Sequence, residues 1–209
     1  MSSSGKGHDF ERAIAKVLSL WFSQGNNDNV FYRSQSSGAR FTSRRKTGKD
    51  TVLQSGDITC SDQEGELLIK SWSIEIKTGY GIKKKKEEKT EIVRWDVLDF
   101  LDSTQKKPVL QKMWNQCKRD ADLTNKIPVL IFRRNNRTPC ICFTDKYFYV
   151  LLDFFGGQCP VYICSMNLVI LSLTDFFEWI VDIRPALFLH SRIEQKKPVL
   201  LKKQQKLFT

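Results

Sequence analysis

The sequence predicts an α/β fold in which a central mixed β-sheet is flanked by α-helices, and three stretches carry that expectation. Residues 72–77, Trp-Ser-Ile-Glu-Ile-Lys, alternate apolar and polar side chains with the period of a strand. Phe10, Ile14, Val17, Leu18, Trp21 and Phe22 recur at spacings of three and four, which marks an amphipathic helix from about Asp9 to Ser23. Pro108 suits the first turn of a second helix that runs to about Asp122 and leads into Lys126–Asn135, where Val129-Leu130-Ile131-Phe132 has the character of a core strand.

Taken in order, Met1–Lys6 is small and polar and reads as a loose terminus ahead of the first helix. Val30–Arg33 reads as a first strand, and a long polar segment from Ser34 to Ser55 follows, rich in arginine and lysine. Ser55–Cys60 reads as a strand of a hairpin with residues 72–77, turning around Asp62-Gln63-Glu64-Gly65. The run Lys83–Lys89 reads as a solvated charged stretch, and Glu91–Asp102, with Trp95, Leu98 and Leu101, as helical. Further on, Cys140–Phe143, Val161–Cys164 and Leu168–Leu173 read as strands, Asp145–Phe155 as a helix capped by Thr144, and Thr174 as the cap of a closing helix.

The chain's 209 residues fit one domain with a sizeable core. Lysine and arginine outnumber aspartate and glutamate by 34 to 23, a net charge of +11 that suits a polyanionic partner. Six scattered cysteines and an N-terminus without a signal-peptide pattern favour free thiols in a reducing cytoplasm. A zinc site built from Cys140, Cys142, Cys159 and Cys164 would have unusual spacing, and buried thiols are the simpler reading. Val161–Leu173 is too short and too polar to span a bilayer, so no membrane partner is expected. With two histidines in the chain, a histidine-based nuclease or a serine–histidine hydrolase has little support.

The chemistry concentrates on residues 73–77. Strand alternation presents Glu75 and Lys77 together, and Asp57 on the preceding strand would bring a second carboxylate to the same sheet edge. Taken alone, Glu75 and Lys77 are better read as an ordinary ion pair on an exposed strand. Gly7–Arg12, Arg33–Gly38, Gly56-Asp57-Ile58 and Ile74–Lys77, in that order, resemble the PD-(D/E)XK nucleases, in particular the archaeal Holliday-junction resolvase branch and its phage relatives.

The resemblance covers about residues 7–135 and implies a restriction-endonuclease-like core; beyond it, residues 136–190 read as an elaboration of a single domain over 1–190 or as a dimer face, and the lysine-rich 191–209 as a basic tail. It implies a metal-dependent DNA endonuclease with Asp57, Glu75 and the carbonyl of Ile76 around Mg²⁺, for which Mn²⁺ can substitute, and no small-molecule cofactor. Lys77 would meet the attacking water or the developing charge. Glu11, otherwise an acid favoured by the helix dipole, would hold a second ion or its water. Ser37, with Ser36 as its substitute, would join the site, and Gln116, with Gln111 as competitor, would orient substrate or a water. Arg33, Arg40, Arg44, Arg45 and Lys46 would position the DNA backbone, although a solvated basic loop explains the last four as well. Members of this kind act as two-fold dimers on four-way junctions, so a homodimer is the corresponding expectation. Three functions stay open: a structure-selective endonuclease, a restriction-like enzyme cutting particular duplex sequences, and a catalytically silent DNA-binding accessory protein.

Overall fold

The structure, a computed structural model, describes residues 3–34, 56–61, 63–79, 81–86, 89–94, 96–100, 108–158, 160, 162–165 and 167–188. The expected site residues Ser36, Ser37, Arg40, Arg44, Arg45 and Lys46, and the basic tail, lie outside the described residues.

Helix α1 runs over Ser3–Phe22, so Ser3–Lys6 is helical rather than a loose terminus. Once the amphipathic stretch has nucleated, each further turn adds hydrogen bonds at little extra cost, and small polar residues can extend it. Strands β1 (Phe31–Arg33) and β2 (Ile58–Cys60) pair antiparallel, with Phe31 opposite Cys60. Helix α2 (Gln63–Ser71) leads into β3 (Trp72–Thr78).

The expected turn at Asp62–Gly65 is therefore wrong, and β2 and β3 are not a hairpin. Leu67, Leu68 and Ile69 favour a helix, with Leu68 and Ile69 buried in the core. Gly65 serves close packing instead of a turn, since a Cβ there would lie 2.6 Å from the Cβ of Cys60 and 2.9 Å from the ring of Phe31.

A hairpin follows, β4 (Gly81–Lys86) and β5 (Lys89–Arg94), with position Lys84 opposite Glu91 and Ile82 opposite Val93. The lysine run is thus strand, and the helix expected over Glu91–Asp102 is replaced by β5 and a short 3-10 helix at Val97–Phe100. The β-branched Thr90, Ile92 and Val93 outweigh the helical spacing of Trp95, Leu98 and Leu101. Helix α3 (Val109–Asp122), entered through Pro108, and β6 (Ile127–Arg133) form as the sequence predicts.

The last third continues the same sheet. Strand β7 (Cys140–Thr144), helix α4 (Asp145–Phe155), strands β8 (Tyr162–Ser165) and β9 (Leu168–Ser172), and helix α5 (Leu173–Trp179) follow in turn. Thr144 caps α4 by accepting from the amide of Tyr147, as expected. Ser172, not Thr174, caps α5, because β9 ends at Ser172, one residue before the end of the apolar run, and its last side chain accepts from the amide of Asp175.

The central sheet has the order β3-β6-β7-β9-β8, with β3 and β6 parallel and the remaining pairs antiparallel. Its faces bury two layers. On one, Trp72, Ile74, Ile76, Val129 and Ile131 pack against Phe10, Ile14 and Leu18 of α1 and Phe148 and Phe176 of α4 and α5. There Trp21 stacks on Trp72, whose indole N–H donates to the hydroxyl of Tyr147. On the other, Leu130, Phe132, Cys142 and Ile170 pack against Val109, Leu110, Trp114 and Cys117 of α3.

Two glycines of the helices separate packing from propensity. Gly65→Ala should lower stability by about 1–3 kcal/mol through overpacking. Gly7→Ala, with nothing within 4 Å of the added carbon, should raise it by about 0.5–1 kcal/mol. Urea unfolding of the two variants beside the parent protein checks the opposite signs.

Candidate active site

Strand β3 is an edge strand of the central sheet, paired on one side with β6. Along its other side runs the segment that enters β2. The amide of Asp57 donates to the carbonyl of Ile74 at 2.7 Å, and the amide of Ile76 donates to Oδ2 of Asp57 at 2.8 Å. Ile76 therefore turns its N–H toward Asp57, and because the N–H and C=O of a strand residue point the same way, its carbonyl faces that edge too. Gly56 makes the approach possible: its φ is +89°, and a Cβ there would lie 2.5 Å from the carbonyl oxygen of Ile74.

Glu75 lies on the α3 face of the strand. It accepts from the ammonium of Lys77 and, at 2.8 Å, from Nε2 of Gln116 through the same oxygen, Oε1. Gln116, not its competitor Gln111, is the glutamine that α3 brings to the acid. Neither Asp57, at 5% exposure, nor Glu75, at 7%, is the surface group of an exposed strand. The ordinary exposed ion pair is thereby excluded.

Glu11, on α1, is paired with Arg33 at the end of β1. Arg33 thus reaches the site by holding an acid. Arg133, at the end of β6, lies over the ring of Phe10, its Cζ 4.2 Å from the ring centre, beside Glu11 in sequence. The sequence marks this strand as ending in basic residues, but only the parallel pairing of Thr78 with Arg133 places one of them beside the end of β3.

These groups share one electrostatic field. Burial pushes the carboxyl of Asp57 up to about 7, Glu75 and more weakly Glu11 add to the rise, and the Ile76 amide and Lys77 oppose it. Burial acts to lower Lys77, but the charge and hydrogen bond of Glu75, with Asp57 and Glu11 behind them, outweigh it and hold the ammonium above its ordinary value.

Among the described residues no three His, Cys, Asp or Glu side chains are gathered to enclose a metal ion. What the fold brings together is a pair of repelling carboxylates with a carbonyl on the same edge. Such a set of hard oxygens fits Mg²⁺, which takes one or two carboxylates and retains waters.

A model of the family described as "Phage putative PDDEXK endonuclease" matches residues 2–162. The chain belongs to this family. No curated protein and no solved structure matches it significantly. In this PDDEXK chain the matched span takes in α1, β1, Asp57, the Glu75–Lys77 strand, α3, β6 and β7. Among the described residues no helix is long and apolar enough to cross a membrane.

The acid pair has a measurable consequence for the metal-free protein. Asp57 takes up its proton more readily when folded than when unfolded, so the native state holds more protons between about pH 4 and 7 and stability falls as pH rises through that window. Asp57→Asn, which keeps an acceptor for the Ile76 amide, should flatten that fall and stabilise the protein at pH 7.5 by about 2–4 kcal/mol in EDTA. Urea unfolding at a series of pH values checks it.

Proposed function

We propose that this PDDEXK chain is a metal-dependent DNA endonuclease, and that Asp57, Glu75, Lys77 and Gln116 form its catalytic site. The observation that carries the reading is the carboxylate pair of Asp57, bonded along the outer edge of β3, and Glu75, to which Lys77 and Gln116 are both hydrogen-bonded. In this reading Asp57, Glu75 and the carbonyl of Ile76 hold a divalent cation, Mg²⁺ or its substitute Mn²⁺. When bound, such an ion supplies Lewis-acid polarisation of the phosphoryl group and a more acidic water.

The chain's own residues divide the remaining work. Lys77, hydrogen-bonded to Glu75 in the metal-free protein, donates to the attacking water or to the phosphoryl oxygen on which charge develops. Gln116 fixes Oε1 of Glu75, so that the carboxylate keeps its orientation when Lys77 turns to the substrate. Glu11, paired with Arg33, would order a further water or a second ion in this reading, and Arg33 and Arg133 would supply positive charge for the DNA backbone. Arg40, Arg44, Arg45, Lys46, Ser36 and Ser37 are proposed to contact the same backbone, in keeping with the net charge of +11.

The finer reading is a structure-selective enzyme that acts on branched DNA as a homodimer inside the cell. It rests on the order of the Gly7–Arg12, Arg33–Gly38, Asp57 and Glu75-x-Lys77 stretches. The assay is incubation of labelled linear, nicked, flapped and four-way DNA with Mg²⁺ or Mn²⁺, with the parent protein beside Lys77→Ala, Asp57→Ala and Gln111→Ala. Cleavage of branched substrates is expected from the parent and Gln111→Ala. Lys77→Ala and Asp57→Ala should lose at least about 100-fold in rate while retaining DNA. Discrete fragments from linear duplex without branch preference would mean a restriction-like enzyme, and retention without cleavage an accessory protein. Equal cleavage by all four proteins would reject the assigned site.

A further inference from the structure

One strand away from the Glu75–Lys77 pair lies a pocket that the proposed chemistry does not use. Its volume is about 330 Å³, and its walls include Phe132, Val97, Leu98, Asp96, Arg134 and Arg137. The register fixes its position. Phe132 is the β6 neighbour of Lys77, and neighbouring strands are about 4.8 Å apart. In-register neighbours share a face, and Phe132 belongs to the same layer as Cys117, the residue next to Gln116 on α3. The pocket and the candidate site therefore open on one side of the sheet.

The lining is mixed in a particular way. Phe132 forms an apolar floor, and Val97 and Leu98 of the 3-10 helix supply an apolar flank, Leu98 being 53% exposed. Arg134 and Asp96 form an ion pair at the wall, and the Nε–H of Arg134 is buried without a hydrogen-bond partner among the described residues. A phosphate would suit the arginines but would meet the carboxylate of Asp96 and the apolar flank unfavourably. A nucleobase suits all of them: it has a flat apolar face, donors that a carboxylate accepts, and acceptors that a guanidinium reads. The size is at the lower end of small-ligand pockets, about 300–1,000 Å³.

We propose that this pocket takes one unpaired nucleobase of the DNA, next to the scissile phosphate. The proposal rests on the DNA endonuclease reading and deepens it by naming the substrate class. A base inside an intact duplex must first be unstacked and unpaired to enter, whereas one in a flap, gap or branch is already free. The pocket would thus act as the selectivity element of the site, favouring DNA that carries an unpaired nucleotide beside the cleavage point.

The test is binding of the full-length protein to labelled flapped duplexes without added divalent ion, with an abasic residue replacing the nucleotide at each unpaired position in turn. At one position, loss of the base should weaken binding by the parent about tenfold. Two variants at exposed pocket residues, Leu98→Glu and Arg137→Ala, should lose that discrimination. Leu98→Glu should keep its affinity for fully paired duplex within about twofold, as befits an exposed position. Equal binding of intact and abasic flaps by the parent, or discrimination retained in both variants, would overturn the pocket alone. Failure to bind any of these DNAs would overturn the pocket, whereas the endonuclease reading fails separately, by absence of cleavage with Mg²⁺ or Mn²⁺.

Discussion

The structure depends on a carboxylate folded against the open edge of a strand. Asp57 reaches β3 because Gly56, in a left-handed conformation, lets the backbone touch Ile74, and the acid then accepts the amide of Ile76. That hydrogen bond offsets part of the cost of burying the group, and the nearby Glu75 adds to it. Unmetallated, the arrangement is electrostatically unfavourable. Folds retain such pairs where the charge is used, since perturbed acids concentrate at functional sites.

The surrounding elements orient what that contact brings together. Helix α3 buries Leu110, Trp114 and Cys117 against β6 and β7 and so delivers Gln116 to Glu75. Helix α1 buries Phe10 and Ile14 on the opposite face, and Glu11 meets Arg33 between helix and strand. Packing on both faces thus fixes polar groups that their own hydrogen bonds could not hold in register.

The strand period of residues 72–77, the helix ahead of β1 and the α3–β6 pair were legible because each depends on local spacing. The acid–lysine pair and Gln116 were legible through the order of motifs. What misled was polarity without context. Asp62-Gln63-Glu64-Gly65 has the composition of a turn, but its glycine is required by the closeness of Cys60 and Phe31, a tertiary fact. The lysine run looked too charged for a strand, yet the hairpin sets Lys84 opposite Glu91. Ser73 and Glu75 are polar yet buried, because α3 covers their face of the strand, which alternation alone does not reveal. Neither Arg33's hold on Glu11 nor Arg133's place over Phe10 has a signal in spacing, since both arise from the meeting of distant segments.

The segment carrying Asp57 has one more effect. An edge strand with free amides and carbonyls is a template onto which another chain can add a strand. By taking up the carbonyl of Ile74 and the amide of Ile76, the backbone and side chain of residue 57 cover that template on β3. The same loop that furnishes an acid therefore guards the sheet against self-association, and selection for solubility and selection for chemistry would act on it together.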